Sequence, residues 1–236
     1  MKNSILSILI ATFVLSCSDK KTDTNTHIIG DIKGFTNGTL YLQQMKDTAF
    51  VTVDSLKIAG NSNFEFNLNL DSPELMYLVV DRGITNSIDD ILPVFAEAGT
   101  INVHTDLKHF YADAIITGSK NHALLEQFQK INSKYKSEIL GISKEKYDAI
   151  LYKRLQDVDS IDKKMDKKIT RKYLHAINFA LTNKDYEIAP YIALSELTDA
   201  NIKYLDTINN ALTPKVAGSK YGKLLNEFIS DRKAQD

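Results

Sequence analysis

"NFEFNLNL", residues 63–70, decides the fold. Phe64, Phe66, Leu68 and Leu70 alternate with Glu65, Asn67 and Asn69. Successive side chains of an extended chain point to opposite faces, so this stretch reads as a strand with one apolar and one polar face. Segments of similar composition lie on both sides of it: "TLYLQQM" (39–45), "VTVDSLKI" (51–58), "ELMYLVVD" (74–81), "ILPVFAE" (91–97), "TINVHT" (100–105) and "DAIITG" (113–118). Gly34, Gly38, Gly60 and Gly99 punctuate them. Short strands at close spacing predict an antiparallel β-sandwich or barrel-like domain over residues 27–118. Pro93 cannot donate to a ladder, which places its strand at an edge or a bulge.

From Asn121 the period changes. Leu124, Leu125, Phe128, Ile131 and Tyr135 recur at helical spacing, and so do Tyr147, Leu151, Leu155, Val158, Ile161, Met165, Ile169, Tyr173, Ala176 and Ala180. No Gly or Pro interrupts the second series, so one long helix is expected, capped by Ser143, with Asp159 or Ser160 as the alternative start of a second. Shorter helices are expected near 188–197, 200–211 and 218–232, with Pro214 and Gly218 as breakers. The fold class is α+β with the two kinds of element segregated: the β-domain first, then a helical domain over 119–236. Helices after the last strand should pack on one sheet face, because an amphipathic hairpin cannot bury its stripe alone.

The chain opens differently. Lys2 and the apolar run Ile5–Leu15 read as an export signal over residues 1–16. As a helix that run spans about 16 Å at 1.5 Å per residue, against about 30 Å of bilayer hydrocarbon. Val14-Leu15-Ser16-Cys17 resembles the lipobox of bacterial lipoproteins. The resemblance implies cleavage before Cys17, a diacylglyceryl thioether on its sulfur and often an acylated amine, which together supply the two or more chains that stable anchoring takes. Ser18–Thr26 is a polar tether with a reach of about 30 Å. Ser18 after the cysteine, rather than Asp, resembles an outer-membrane sorting signal, with the leaflet left open. The expected partners are therefore the membrane, through that anchor, and an envelope protein.

Charge and motifs narrow the function. Lys plus Arg number 29 and Asp plus Glu 30, giving a formal charge of −1 that draws in no nucleic acid. Cys17 has no second cysteine to pair with. His104, Asp106 and His109 have ligand chemistry, but the alternation puts His104 on the polar face of its strand and no second cluster completes a site. Asp81, Asp89 and Asp90 flank "RGITNSI" (82–88) without the spacing of an EF-hand loop, and read as a solvated loop. There is no Gly-x-Ser-x-Gly and no phosphate-binding Gly-rich loop. Asp54-Ser55 alternates across a strand, and His175 lies beside the helical stripe without an acidic or serine partner. Tyr135, Tyr147 and Tyr173 read as core. These residues assign no catalytic, metal or cofactor site.

"IIGDIKGFTNGTLYLQQM", "VDSLKIAGNSNFEFNLNL" and "ADAIITGSKNHALLEQF" resemble the β-rich domain of unknown function at the front of envelope-anchored thiol-disulfide oxidoreductases. The recurring features are Gly30, Ile32 and Gly34, then Asp54-Ser55, Phe64 and Phe66, and Thr117-Gly118-Ser119. "IAPYIALSEL" and "LTPKVAGSKYGKLLNEFI" resemble the helical connector of those proteins. In that family a thioredoxin-like domain with a Cys-x-x-Cys pair follows. This sequence ends at Asp236, where such a domain is expected to start, so the resemblance carries over no catalytic residue. The reading is a non-catalytic, lipid-anchored envelope protein that binds or scaffolds. The alternative is an accessory role beside a separate thioredoxin-like partner in a thiol-disulfide system.

Overall fold

A computed structural model describes residues 24–46, 48–83 and 87–235. The export signal, Cys17 and most of the tether lie outside them. Among the described residues every strand precedes every α-helix. Eight strands run β1 (Thr26–Lys33), β2 (Asn37–Lys46), β3 (Ala49–Ala59), β4 (Asn63–Leu68), β5 (Glu74–Asp81), β6 (Ile91–Ala96), β7 (Gly99–Asp106) and β8 (Ile115–Thr117). Six helices follow: α1 (Lys120–Leu151), α2 (Val158–Thr182), α3 (Ile188–Glu196), α4 (Ile202–Ala211), α5 (Pro214–Ala217) and α6 (Lys220–Gln235).

The opening stretch behaves as its alternation requires. In β4, Phe64, Phe66 and Leu68 are buried while Asn63, Glu65 and Asn67 are exposed. The strands form two open sheets of order β4-β1-β7-β8 and β3-β2-β5-β6. Ile28, Phe66, Ile101 and Val103 of the first share one core with Leu40, Leu42, Leu78 and Val94 of the second. This is a sandwich. Pro93 lies on β6, an outer strand, opposite Tyr77. One pairing departs from an all-antiparallel sheet: β1 and β7 run parallel, from Thr26↔Gly99 to Lys33↔Asp106.

Sheet β3-β2-β5-β6 is sandwiched between layers. Met76, Leu78 and Val80 of β5 point into the sandwich core. Leu75 and Phe95 point the other way, into a second core with Phe128, Ala176, Ile192, Leu205 and Leu225 of the helices. The helices thus cover one outer sheet face.

The helical boundaries differ from the expected single helix over 144–182. Ser143 is no cap; it lies inside α1, where its Oγ donates to the Ile139 carbonyl at 3.0 Å. The chain turns back through Tyr152–Asp157, and α2 begins one residue before the alternative start at Asp159. Tyr147, Leu151 and Leu155 are consequently exposed rather than core.

Two glycines predict opposite responses. A Cβ on Gly30 would sit 1.8 Å from the carbonyl oxygen of Val103, its register partner on β7, whereas one on Gly141 in α1 meets nothing within 4 Å. Gly30→Ala should lower the unfolding free energy by at least about 2 kcal/mol, and Gly141→Ala should raise it by about 1 kcal/mol. Urea titration of both variants checks the pair.

Candidate functional site

Where sandwich meets helices, a few buried polar groups fix the geometry. Ser119 caps α1, accepting from the His122 N–H at 3.0 Å. Glu97, just after β6, accepts from the backbone N–H of Lys120 (2.6 Å) and of Asn121 (3.2 Å). Its carboxylate thereby sits on the positive end of a long helix. Asn121, only 2% exposed, donates from Nδ2 to Glu97 (2.6 Å) and Glu187 (3.1 Å) and accepts the Ile188 N–H at 2.8 Å. Carboxylates accept and a backbone N–H donates, so these partners fix the amide's orientation.

Around that clamp lies an aromatic seam. Phe95 meets Tyr191 edge-on at 5.6 Å and Tyr221 at 5.8 Å, and the two tyrosines meet at 5.2 Å. The Tyr221 hydroxyl accepts from the Leu75 N–H at 3.0 Å. Burial holds its phenol well above the ordinary range, and burial, aided by Tyr77 and Glu196, pushes Tyr191 up to about 12. Both stay protonated at neutral pH.

Beside the seam opens a cleft of about 700 Å³ between the β2 end, the β4–β5 connection and α5–α6. Its charged walls are Lys46, Lys215, Lys220 and Lys223, with Asp71, Glu74 and Glu187. Met45, Leu70, Pro73 and Leu224 add apolar surface. Glu74 takes Gln44 Nε2 at 2.7 Å and pairs with Lys220. Glu187, buried against Asn121, reaches Lys215 at 3.8 Å. Lys46 and Lys223 are exposed and in no ion pair among the described residues. With Glu74 and Glu187 matched and Asp71 exposed, four lysines against three carboxylates leave the cleft one positive charge in excess beside apolar walls. Such an arrangement suits an anionic ligand.

The residues singled out by chemistry in the sequence are scattered. His104 pairs with Asp31 on the neighbouring strand. Asp106 accepts from the Lys108 N–H at 2.9 Å, and His109 contacts Asp113 at 3.0 Å. Asp90 corrects the solvated-loop expectation: it is buried and pairs with Arg82. Asp54 accepts its neighbour's N–H, Ser55, at 2.7 Å on an exposed strand. His175 stacks on Phe128 at 5.1 Å. Among the described residues no group of three or more His, Cys, Asp or Glu side chains is placed to hold a metal ion.

Sequence reasoning missed Glu97, Asn121, His122 and the cleft lysines. An Asn-His pair one residue after a helix cap and before an apolar stripe was the available signal. Two polar residues there need partners from elsewhere in the chain.

The architecture is a two-sheet sandwich with helices on one outer face. Residues 26–125 match the family model described as Domain of unknown function (DUF4369), which covers the sandwich and the clamp at the start of α1. No curated protein and no solved structure matches the chain.

His122 yields a pH prediction. It is buried, and its Nδ1 accepts the Phe95 N–H at 3.3 Å, so the ring proton is on Nε2 and the imidazole is neutral. Burial lowers its pKa from 6.5 to about 4. The unfolded chain takes up this proton below about pH 6.5 and the folded protein only below about pH 4. The contribution is therefore whole above that window and falls as pH drops through it, by at most about 3 kcal/mol. His122→Asn keeps an acceptor at the Nδ1 position without titrating. Urea midpoints should fall more steeply from pH 6.5 to 4 in the parent than in the variant; parallel slopes contradict the assignment.

Proposed function

We propose that this protein is a lipid-anchored cell-envelope binding module, held at the outer membrane by Cys17 and taking an anionic ligand in the cleft between its sandwich and its helices. One observation carries the binding reading: the cleft of about 700 Å³ walled by Lys46, Lys215, Lys220 and Lys223. A volume of that size accommodates a drug-sized ligand.

The lining groups favour binding over catalysis: two of the three cleft carboxylates are engaged, and Asp71 alone has no polar partner among the described residues. A general base needs a free lone pair near its operating pH. Around the cleft and seam, Glu74 and Glu187 are held by lysine and amide donors, and the His122 Nδ1 lone pair is taken by a backbone N–H. The Tyr191 and Tyr221 phenols stay protonated. The lipobox resemblance at Val14–Cys17 and Ser18 after it support the anchor and its membrane.

Two measurements test the parts separately. In a bacterial host the wild type should carry acyl label and begin at Cys17, whereas Cys17→Ser should stay uncut and unlabelled; an unlabelled wild type removes the anchor. For the cleft, the probes are succinate, inorganic phosphate and tetraglutamate. At least one should raise Tm saturably, by about 3–6 °C at roughly ten times its Kd. Lys215→Ala/Lys223→Ala should abolish the rise. A Tm unmoved by all three anions overturns the anionic-ligand reading.

A further inference from the structure

α1 and α2 leave the body of the protein. α1 contributes Leu124, Leu125 and Phe128 to the helical core, and α2 contributes Ala176, Ile177 and Ala180. Farther out the two helices run as a hairpin with a small core of their own: Ile142, Ala149 and Ile161, with Val158 and Met165 against it. From Tyr135 to Leu151 α1 extends about 24 Å at 1.5 Å per residue.

The end of this arm is apolar and uncovered. Tyr147 is 65% exposed, Ile150 51%, Leu151 55%, Tyr152 69% and Leu155 65%. Exposed apolar surface concentrated at one place marks an interaction site. The charges there are sorted. Residues 149–156, "AILYKRLQ", hold Lys153 and Arg154 and no carboxylate. Four carboxylates behind them are paired within the hairpin, Glu145 with Lys164, Asp157 with Arg154, Asp159 with Lys163 and Asp162 with Lys146, while Asp166 on α2 is exposed and in no ion pair among the described residues. Lys144 and Lys153 are in no ion pair among the described residues, against the half-buried Asp148 one turn back.

We propose that the hairpin tip, Tyr147 to Leu155, is a membrane-contact site that seats its apolar side chains in the headgroup layer of an anionic phospholipid surface. The tip is the convex end of a hairpin, which enters a soft layer without needing a matched groove. Its side chains are those that suit this layer. Leucine and isoleucine supply apolar area, tyrosine has an apolar ring with a polar end, and lysine and arginine lay their stems on apolar surface while the charge stays in water. Lys153, in no ion pair among the described residues, favours an anionic headgroup over a neutral one. No helix among the described residues is long and apolar enough to cross a membrane, so the contact is peripheral. It does not depend on lipid at Cys17 and is tested without it.

The experiment uses the full Cys17→Ser chain with an environment-sensitive dye at Tyr152→Cys, and, as control, at Lys57→Cys on exposed β3. The probes are vesicles of phosphatidylcholine and of phosphatidylglycerol mixed with phosphatidylcholine. A blue shift is expected at position 152 and not at 57, larger on the anionic vesicles and reduced by salt. Leu151→Ser/Tyr152→Ser/Leu155→Ser, all exposed and so compatible with an unchanged circular dichroism spectrum, should weaken vesicle partition by about tenfold. Protein that co-sediments with vesicles while the dye at 152 stays unshifted overturns the proposal, since binding then comes from the leader segment. A shift that grows with protein concentration in the absence of vesicles also overturns it, in favour of a second copy of the chain. Equal shifts on both vesicle types remove the anionic requirement.

Discussion

One buried amide holds the molecule together. Asn121 joins the sandwich at Glu97, the second α1 position at its own backbone, and the start of α3 at Ile188. No other side chain of this shape satisfies those partners. Aspartate would set a third carboxylate against Glu97 and Glu187, and leucine would leave both carboxylates and a backbone N–H without it. A buried polar group stripped of its partner costs about 1–3 kcal/mol, more for a charged one. The aromatic seam supplies the apolar area, which is non-directional; Asn121 supplies the register. The cleft inherits its form from that register, because Glu187 sits in its wall at the same junction, 3.8 Å from the exposed Lys215.

Local pattern read well where a residue's environment is set by its neighbours in sequence. The period-two stretches became strands, Pro93 went to an outer strand, and helical spacing began after Ser119. What could not be read was non-local. The parallel pairing of β1 with β7 joins residues more than seventy positions apart, and nothing in "IIGDIK" distinguishes a parallel partner from an antiparallel one. Asp90 looked solvated because its partner, Arg82, is recognisable only once the loop has closed.

The site was nearly invisible for the same reason. Lys46, Lys215, Lys220 and Lys223 come from opposite ends of the described chain, and in each local window they look like ordinary surface charge. The chemistry-bearing residues that did stand out, His104, Asp106 and His109, were satisfied by nearby groups and came together nowhere. Glu97 and Asn121 gave weaker signals because an acid in a loop and an amide near a helix start are common. Their role appears only when β6, α1 and α3 are placed together.

The long helical stripe shows a different failure, and it bears on what the arm does. Hydrophobic periodicity reports which side chains share a face; it does not report what covers that face. From Tyr147 through Leu155 to Ile161 the spacing stays close to helical, so a turn that keeps the phase passes for an unbroken helix. The stripe's inner residues, Ile161 and Ala176, found cover within the chain, and its outer ones, Tyr147, Leu151 and Leu155, did not. A sequence under no demand beyond folding would place polar residues at the end of a projecting hairpin, since each exposed leucine or tyrosine there adds a route to aggregation and nothing to the core. The apolar tip is therefore a departure from local consistency, and departures of that kind concentrate at functional surfaces. On the proposed reading the cleft and the tip divide the molecule's work: a junction that holds an anion, and an arm whose uncovered end meets a surface outside the chain.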